Sequence, residues 1–182
     1  MAITLVTGPA RSGKSEWAEQ LAQRCAIKTG RQVVYIATAN ASADDSEWQG
    51  RIAQHQQRRP PEWRCQEVPV ELAMEIAPFT LAHCLLIYSL GTWLANLIEQ
   101  EDTVWKIVQQ QLIAALSATD ADVILVAEET GWGIVPAYEL GRRFRDRLGA
   151  LSQLVGEIAT DVYLVTSGYA INLSTLGQPI SH

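Results

Sequence analysis

The eight residues Gly8-Pro9-Ala10-Arg11-Ser12-Gly13-Lys14-Ser15 follow the run Ile3 to Thr7 and fit G-x-x-x-x-G-K-[ST] without deviation. That pattern has a physical reading. A buried strand delivers the chain to a loop whose backbone N–H groups wrap phosphate oxygens, and the following helix adds the positive end of its dipole. Gly8 and Gly13 permit the close approach and the dihedrals that side chains oppose. Lys14 is placed to reach the β- and γ-phosphates, and the Ser15 hydroxyl is placed to ligate magnesium. The competing reading, a tight strand-to-helix turn with a surface lysine, leaves the order of two glycines, lysine and serine unexplained. A phosphate loop constrains the rest of the chain to a parallel α/β architecture, but it names a nucleotide and not a reaction.

At 182 residues the chain is expected to form a single domain, 1–182, with a sizeable core. A net charge of −6 argues against a general nucleic-acid binder, which needs an excess of Lys and Arg. Cys25, Cys65 and Cys84 are odd in number and lack metal-ligand spacing, so they read as reduced, buried thiols of a cytoplasmic protein. The N-terminal apolar run is too short for a secretory leader, and its basic residues follow it. Residues 76–98 carry no formal charge and are long enough to span a bilayer. Pro78, His83, Ser89, Gly91 and Asn96 interrupt them, however, and the segment reads as a buried strand followed by a helix.

Continuously apolar runs, as expected of parallel strands covered on both faces, occur at Ile3 to Thr7, Gln32 to Ala37, Cys84 to Leu90, Val123 to Ala127 and Val162 to Thr166. A further short strand is expected near Ile171 to Leu173. Between them, Ser15 to Ala26 places Trp17, Ala18, Leu21, Ala22 and Cys25 on one helical stripe. Residues 137–158 do the same with Leu140, Phe144, Leu148, Leu151, Val155 and Ile158. The alternation predicts a doubly wound sheet.

Magnesium in such folds usually needs an acid at the end of a second core strand. The run VILVAEET supplies Glu128 and Glu129, which are either metal-facing or a solvated strand end. A second polar feature is RIAQHQQRRPPEW. As a helix over 47–58 closed by Pro60-Pro61, it sets Arg51, His55 and Arg58 on one face. Such a face could grip a triphosphate, with a neutral imidazole facing phosphorus. From composition alone, a surface histidine is the simpler account.

Four stretches together resemble the bifunctional adenosylcobinamide kinase / adenosylcobinamide-phosphate guanylyltransferase family. They are GPARSGKS, YIATA at 35–39, RIAQHQQRRPPEWRCQE at 51–67 and ETGWGIVPAYELGRRFRDRLGALSQ at 129–153. The resemblance implies a RecA-like P-loop NTPase fold with a mostly parallel sheet and helices on both faces, a cytoplasmic location and a homotrimer. It also implies two reactions. ATP or GTP phosphorylates the aminopropanol hydroxyl of adenosylcobinamide with Mg2+. GTP then guanylylates an enzyme histidine, and GMP passes to adenosylcobinamide phosphate, giving adenosyl-GDP-cobinamide. The guanylylated histidine falls on His55, and Lys14 is the second residue expected in the chemistry. Nucleotide contacts fall on Gly8 to Ser15 (Pro9, Ala10, Arg11 and Ser12 included), on Ala37, Thr38 and Ala39, on Gln56, Gln57, Arg58 and Arg59, on Glu67 and on Tyr88. Metal contacts fall on Ser15 and Glu129.

The chain departs from the family at Tyr88, where an acid is usual, and a phenol brings neither charge nor a second acceptor oxygen to the nucleotide or metal. Arg142, Arg143, Arg145 and Arg147 cannot all face one site. Pairing with Asp146 and Glu139, or a subunit contact, competes with phosphate binding for them. Trp132 either covers a ligand or packs. Two other functions fit the residues: a P-loop small-molecule kinase without guanylyltransfer, and a nucleotide-binding module that has lost catalysis.

Overall fold

The computed structural model describes residues 1–40, 50 and 58–180. The chain runs β1 (Ile3–Gly8), α1 (Lys14–Thr29), β2 (Gln32–Ala37), β3 (Arg64–Glu67), α2 (Leu72–Ile76), β4 (His83–Tyr88) and α3 (Leu90–Leu97). It continues through α4 (Asp102–Ala118), β5 (Asp122–Glu128), α5 (Glu139–Ile158), β6 (Asp161–Thr166), β7 (Tyr169–Asn172) and α6 (Leu173–Leu176). The strands form one sheet in the order β3-β2-β4-β5-β1-β6-β7. All neighbours are parallel except β6 and β7, which pair antiparallel from Tyr163↔Asn172 to Thr166↔Tyr169.

Strand alternation divides the core in two. Ile3, Leu5, Val34, Ile36, Leu85, Ile87, Val123 and Leu125 point to one face, where Trp93 of α3, Leu112 of α4 and Leu148 of α5 cover them. Val6, Val33, Tyr35, Cys84, Leu86, Ile124 and Val126 point to the other face, against Ala18 and Ala22 of α1. Two buried faces explain the unbroken apolar character of the strands. Small alanines on α1 let that helix lie close to the sheet.

Most strand and helix expectations hold, and the differences have physical causes. The fourth strand stops at Tyr88 instead of Leu90, because Ser89 caps α3: its hydroxyl accepts from the Thr92 amide, and the Thr92 side chain accepts from the Ser89 amide. The last strand runs Tyr169–Asn172, with Leu173 opening a short helix capped by the Asn172 side chain. Leu140, expected on the buried stripe of α5, is 44% exposed, one turn before that helix meets the sheet. Strand β3 has an exposed, polar sequence and joins the edge only through its pairing with β2, so no apolar run announces it. The cysteines are free. Cys84 is buried and Cys25 half-buried, but Cys65 is exposed on β3, against expectation. No helix among the described residues is long and apolar enough to cross a membrane. Residues 76–98 form the end of α2, then β4 and α3.

Arg147 resolves one question about the arginine-rich helix. Its guanidinium is buried, donates to the Ile98 and Gln100 carbonyls at 3.1 and 2.8 Å and to Asp102 at 2.6 Å, and sits 5.4 Å from the centroid of the Trp105 ring. It ties α5 to the α3–α4 connection. Arg143 pairs with Glu139 one turn away. Replacing Arg147 by Met keeps the stem but strands two carbonyls, and is expected to cost about 3 kcal/mol of stability. Urea unfolding checks this, and a loss below about 0.5 kcal/mol, the range of an ordinary surface substitution, would remove Arg147 from the framework.

Candidate nucleotide-binding site

The parallel strands all end at one edge of the sheet, where ligands of such folds bind. At that edge β1 leads into the loop Pro9 to Gly13 and the first turn of α1. Arg11 (φ 57°) and Gly13 (φ 94°) both adopt left-handed backbone, curling the loop back on itself. Gly8 is forced for a different reason: a Cβ there would overlap the Val165 carbonyl of β6. The loop encloses buried polar groups. Lys14 is 6% exposed, and its ammonium donates to the Pro9 carbonyl at 3.2 Å. Ser12 is 6% exposed, and its hydroxyl has no hydrogen-bond partner. An unsatisfied hydroxyl buried inside such a loop is costly without a partner, and beside a buried ammonium it fits a phosphate.

Ser15, also buried, opens α1, and its hydroxyl lies 2.9 Å from the Tyr88 hydroxyl at the tip of β4. Tyr88, where the resemblance leads us to expect an acid, therefore sits directly against the P-loop. The Tyr88 ring stacks near Tyr35, with centroids 6.1 Å apart. Burial pushes the Tyr88 phenol above its ordinary pKa despite the Ser15 hydrogen bond, so it is neutral at pH 7.

Thr38, just past β2, is fully buried. Its hydroxyl donates to the Ser89 carbonyl at 2.7 Å and accepts from the Ser89 amide at 2.8 Å. Asn96 of α3 donates to the Thr38 carbonyl at 2.8 Å and to the Pro69 carbonyl at 2.9 Å. The Ser89 hydroxyl donates to Glu128 at 2.6 Å, and the other Glu128 oxygen accepts from the Gly91 amide at 3.0 Å. Ala37 and Ala39 flank Thr38 at the same edge, both half-buried. Of this belt, sequence marks Thr38 as a contact and leaves Glu128 open, and it gives no part to Ser89, Thr92 and Asn96. The Ser89-x-x-Thr92 spacing ahead of an apolar run was the available signal.

The remaining expected residues divide. Arg58 forms ion pairs with Glu16 and Glu19 on the outer side of α1. The Arg59 guanidinium lies 3.5 Å from the Tyr35 ring centroid and donates to the Cys65 sulfur at 3.1 Å. Glu67 is exposed at the end of β3, in register with Ala37. The Glu129 amide donates to the Gly8 carbonyl at 2.8 Å, joining β5 to the P-loop, and its carboxylate accepts from Gly131 in its own loop. Trp132 is 62% exposed. The helix expected over 47–58 falls outside the described residues except at Gly50 and Arg58, and His55, Gln56, Gln57 and Arg51 lie outside with it.

Comparison with known proteins agrees with this geometry. A family model described as cobinamide kinase / cobinamide phosphate guanyltransferase matches residues 4–173. The bifunctional adenosylcobalamin biosynthesis protein CobP of Pseudomonas aeruginosa is 39% identical over 178 residues, covering 97% of this chain and 98% of that protein. The bifunctional adenosylcobalamin biosynthesis protein CobU of Escherichia coli is 36% identical over 186 residues, covering 94% and 99%. Its namesake from Salmonella typhimurium is 35% identical over 189 residues, covering 94% and 99%. A crystal structure of a KaiC-like protein from Pyrococcus horikoshii aligns with TM-score 0.50 at 15% identity, covering 90% of this chain and 70% of that one, a likeness of fold alone. Sheet order, P-loop and structural neighbour give a RecA-like P-loop fold. With the family match running from β1 into α6, the chain belongs to the cobinamide kinase / cobinamide phosphate guanyltransferase family.

Proposed function

We propose that this chain, as one catalytic domain, phosphorylates adenosylcobinamide on its aminopropanol hydroxyl and then guanylylates the product. The observation that carries the first half is the loop at 8–15, with its buried ammonium and unpartnered Ser12 hydroxyl. ATP or GTP supplies the phosphoryl group. The substrate hydroxyl oxygen forms a bond to the γ-phosphorus, the bond to the β-bridging oxygen breaks, and the hydroxyl proton leaves to solvent or a nearby carboxylate. Lys14 neutralises charge that grows on the transferred group and the leaving diphosphate.

Mg2+ suits the oxygen donors at this edge. The Ser15 hydroxyl can bond the Tyr88 phenol and still offer a lone pair, and Glu129 retains an oxygen beyond its Gly131 bond. Ser15 and Glu129 would hold the ion, phosphates and water completing its shell. When bound, it shields charge between the phosphates.

For the second half, His55 attacks the α-phosphorus of GTP through a neutral ring nitrogen, and pyrophosphate departs. A phosphate oxygen of adenosylcobinamide phosphate then displaces the imidazole and takes the GMP. The family membership supports this step. A homotrimer in the cytoplasm completes the reading.

Lys14→Ala is expected to reduce phosphorylation of adenosylcobinamide by about a thousandfold or more, with an unchanged circular dichroism spectrum. Turnover within about tenfold of the parent, the scale of ~1.4 kcal/mol, would make the loop a mere turn. His55→Ala should lose covalent labelling by GTP while retaining phosphorylation, and the parent's label should be acid-labile and alkali-stable. An acid-stable label, or one that survives the substitution, would move the nucleophile elsewhere. Tyr88→Asp should lower the Mg2+ concentration giving half-maximal nucleotide binding by roughly tenfold, since a charge beside a dication readily supplies ~1.4 kcal/mol. An unchanged Mg2+ dependence at unchanged melting temperature would place Tyr88 outside the metal's reach.

A further inference from the structure

A cavity of about 330 Å³ opens between the end of β5 and the middle of α5, lined by Glu128, Glu129, Thr130, Arg145, Asp146 and Ser152 among others. One of its lining residues is tied to the P-loop, since the Glu129 amide donates to the Gly8 carbonyl at 2.8 Å. Arg145 is held in place by one nitrogen, Nη2, which donates to the Gly131 carbonyl at 3.0 Å. The other, Nη1, is shielded from solvent and has no hydrogen-bond partner. A donor fixed in this way asks for an acceptor from outside.

The charges around it restrict what that acceptor can be. Glu128, Glu129 and Asp146 set three carboxylates against one guanidinium, so a phosphate or another anion is repelled from the cavity as a whole. The lining suits a neutral group with an acceptor and donors side by side. A primary carboxamide has that pattern: its carbonyl oxygen accepts from Arg145, and its NH2 group donates to a carboxylate or to Thr130 or Ser152. The chain that continues from Gly131, a lining residue, exposes Trp132, Ile134, Val135 and Tyr138, at 62%, 96%, 60% and 69%. A polar recess followed in the same loop by exposed apolar side chains fits a flat apolar macrocycle edged with carboxamide arms.

We propose that this cavity is the acceptor subsite, in which Arg145 and Asp146 receive a peripheral carboxamide of the corrin and bring its aminopropanol arm beside the P-loop. The proposal rests on the kinase reading above and adds where the acceptor docks. It also gives Arg145, one of the arginines left open by sequence, a role apart from nucleotide phosphate.

Equilibrium binding of adenosylcobinamide and, separately, of ATP to the full chain tests it, together with steady-state phosphorylation. Arg145→Met should weaken corrinoid binding and raise its KM by about tenfold or more, the loss of one charge-assisted hydrogen bond, while ATP affinity and kcat stay within about twofold. Arg145→Lys, which keeps a donor, should recover part of the loss. Because Arg145 also holds the Gly131 carbonyl, the exposed Asp146 provides a variant that leaves that anchor in place. A corrinoid with one carboxamide hydrolysed to a carboxylate should bind the parent poorly, and Asp146→Asn should narrow that discrimination by about fivefold. Corrinoid affinity and discrimination unchanged in both variants would overturn the subsite while leaving the kinase reading standing. Equal losses of ATP and corrinoid affinity in Arg145→Met, with unaltered discrimination in Asp146→Asn, would reduce Arg145 to a loop anchor and also overturn it. A parent that binds ATP and no corrinoid would sink both readings together.

Discussion

The Thr38 hydroxyl donates to the carbonyl and accepts from the amide of one residue, Ser89, and the ligand-facing edge of the sheet depends on that closed pair. It locks the end of β2 to the end of β4 where ladder pairing stops. Through the Ser89 hydroxyl and Glu128, the lock extends to β5, and through the Glu129 amide to β1 and its loop. Among the described residues, the P-loop, Thr38 and Tyr88 leave the sheet from strand ends joined by this belt. Buried hydroxyls are costly unless satisfied, and satisfied ones permit one arrangement and few others. Position here comes from neutral hydroxyls and one carboxylate, with the exposed ion pairs lying outside.

A chain with net charge −6 that handles triphosphates must make its positive potential locally. It does so with few full charges. Lys14 is buried, the loop turns its backbone through two left-handed residues, and α1 points its N-terminus at the same space. Tyr88 adds no charge to this edge. A phenol held neutral beside Ser15 does not repel phosphate oxygens as a carboxylate would, although it also offers less to a cation. Arg58, which lies within a basic stretch of sequence, is engaged by Glu16 and Glu19, so proximity in sequence overstated the positive charge available there.

Sequence made the parallel core legible because both faces of the sheet are covered, leaving β1, β2, β4 and β5 as unbroken apolar runs. It made the P-loop legible because backbone geometry demands particular residues at fixed spacing. Strand β3 was hidden, since an edge strand with exposed polar side chains is defined by its neighbour. The exposure of Leu140 was hidden as well: a helical stripe says which side is apolar, and only the tertiary path says where the helix meets the sheet. Arg147 and Arg145 occupy the same helix two residues apart. One gives both terminal nitrogens to carbonyls of the α3–α4 connection and the other keeps a terminal nitrogen open, a distinction set by contacts far away in sequence. Family resemblance, in turn, marked Tyr88 as a departure without saying what the ring touches.

The missing Cβ of Gly8 links loop and sheet in a second way. Because the Val165 carbonyl of β6 occupies the space a side chain would need, that glycine is a packing element between two strands as much as the first residue of a phosphate loop. Any larger residue there must push β6 away from β1, loosening the outer hairpin that β6 forms with β7. Selection on sheet closure and selection on phosphate binding therefore fall on one atom's absence. Tolerance at Gly8 reports the two requirements only as a sum, whereas Ser12 and Lys14, whose side chains face inward from the loop, report on the ligand far more directly.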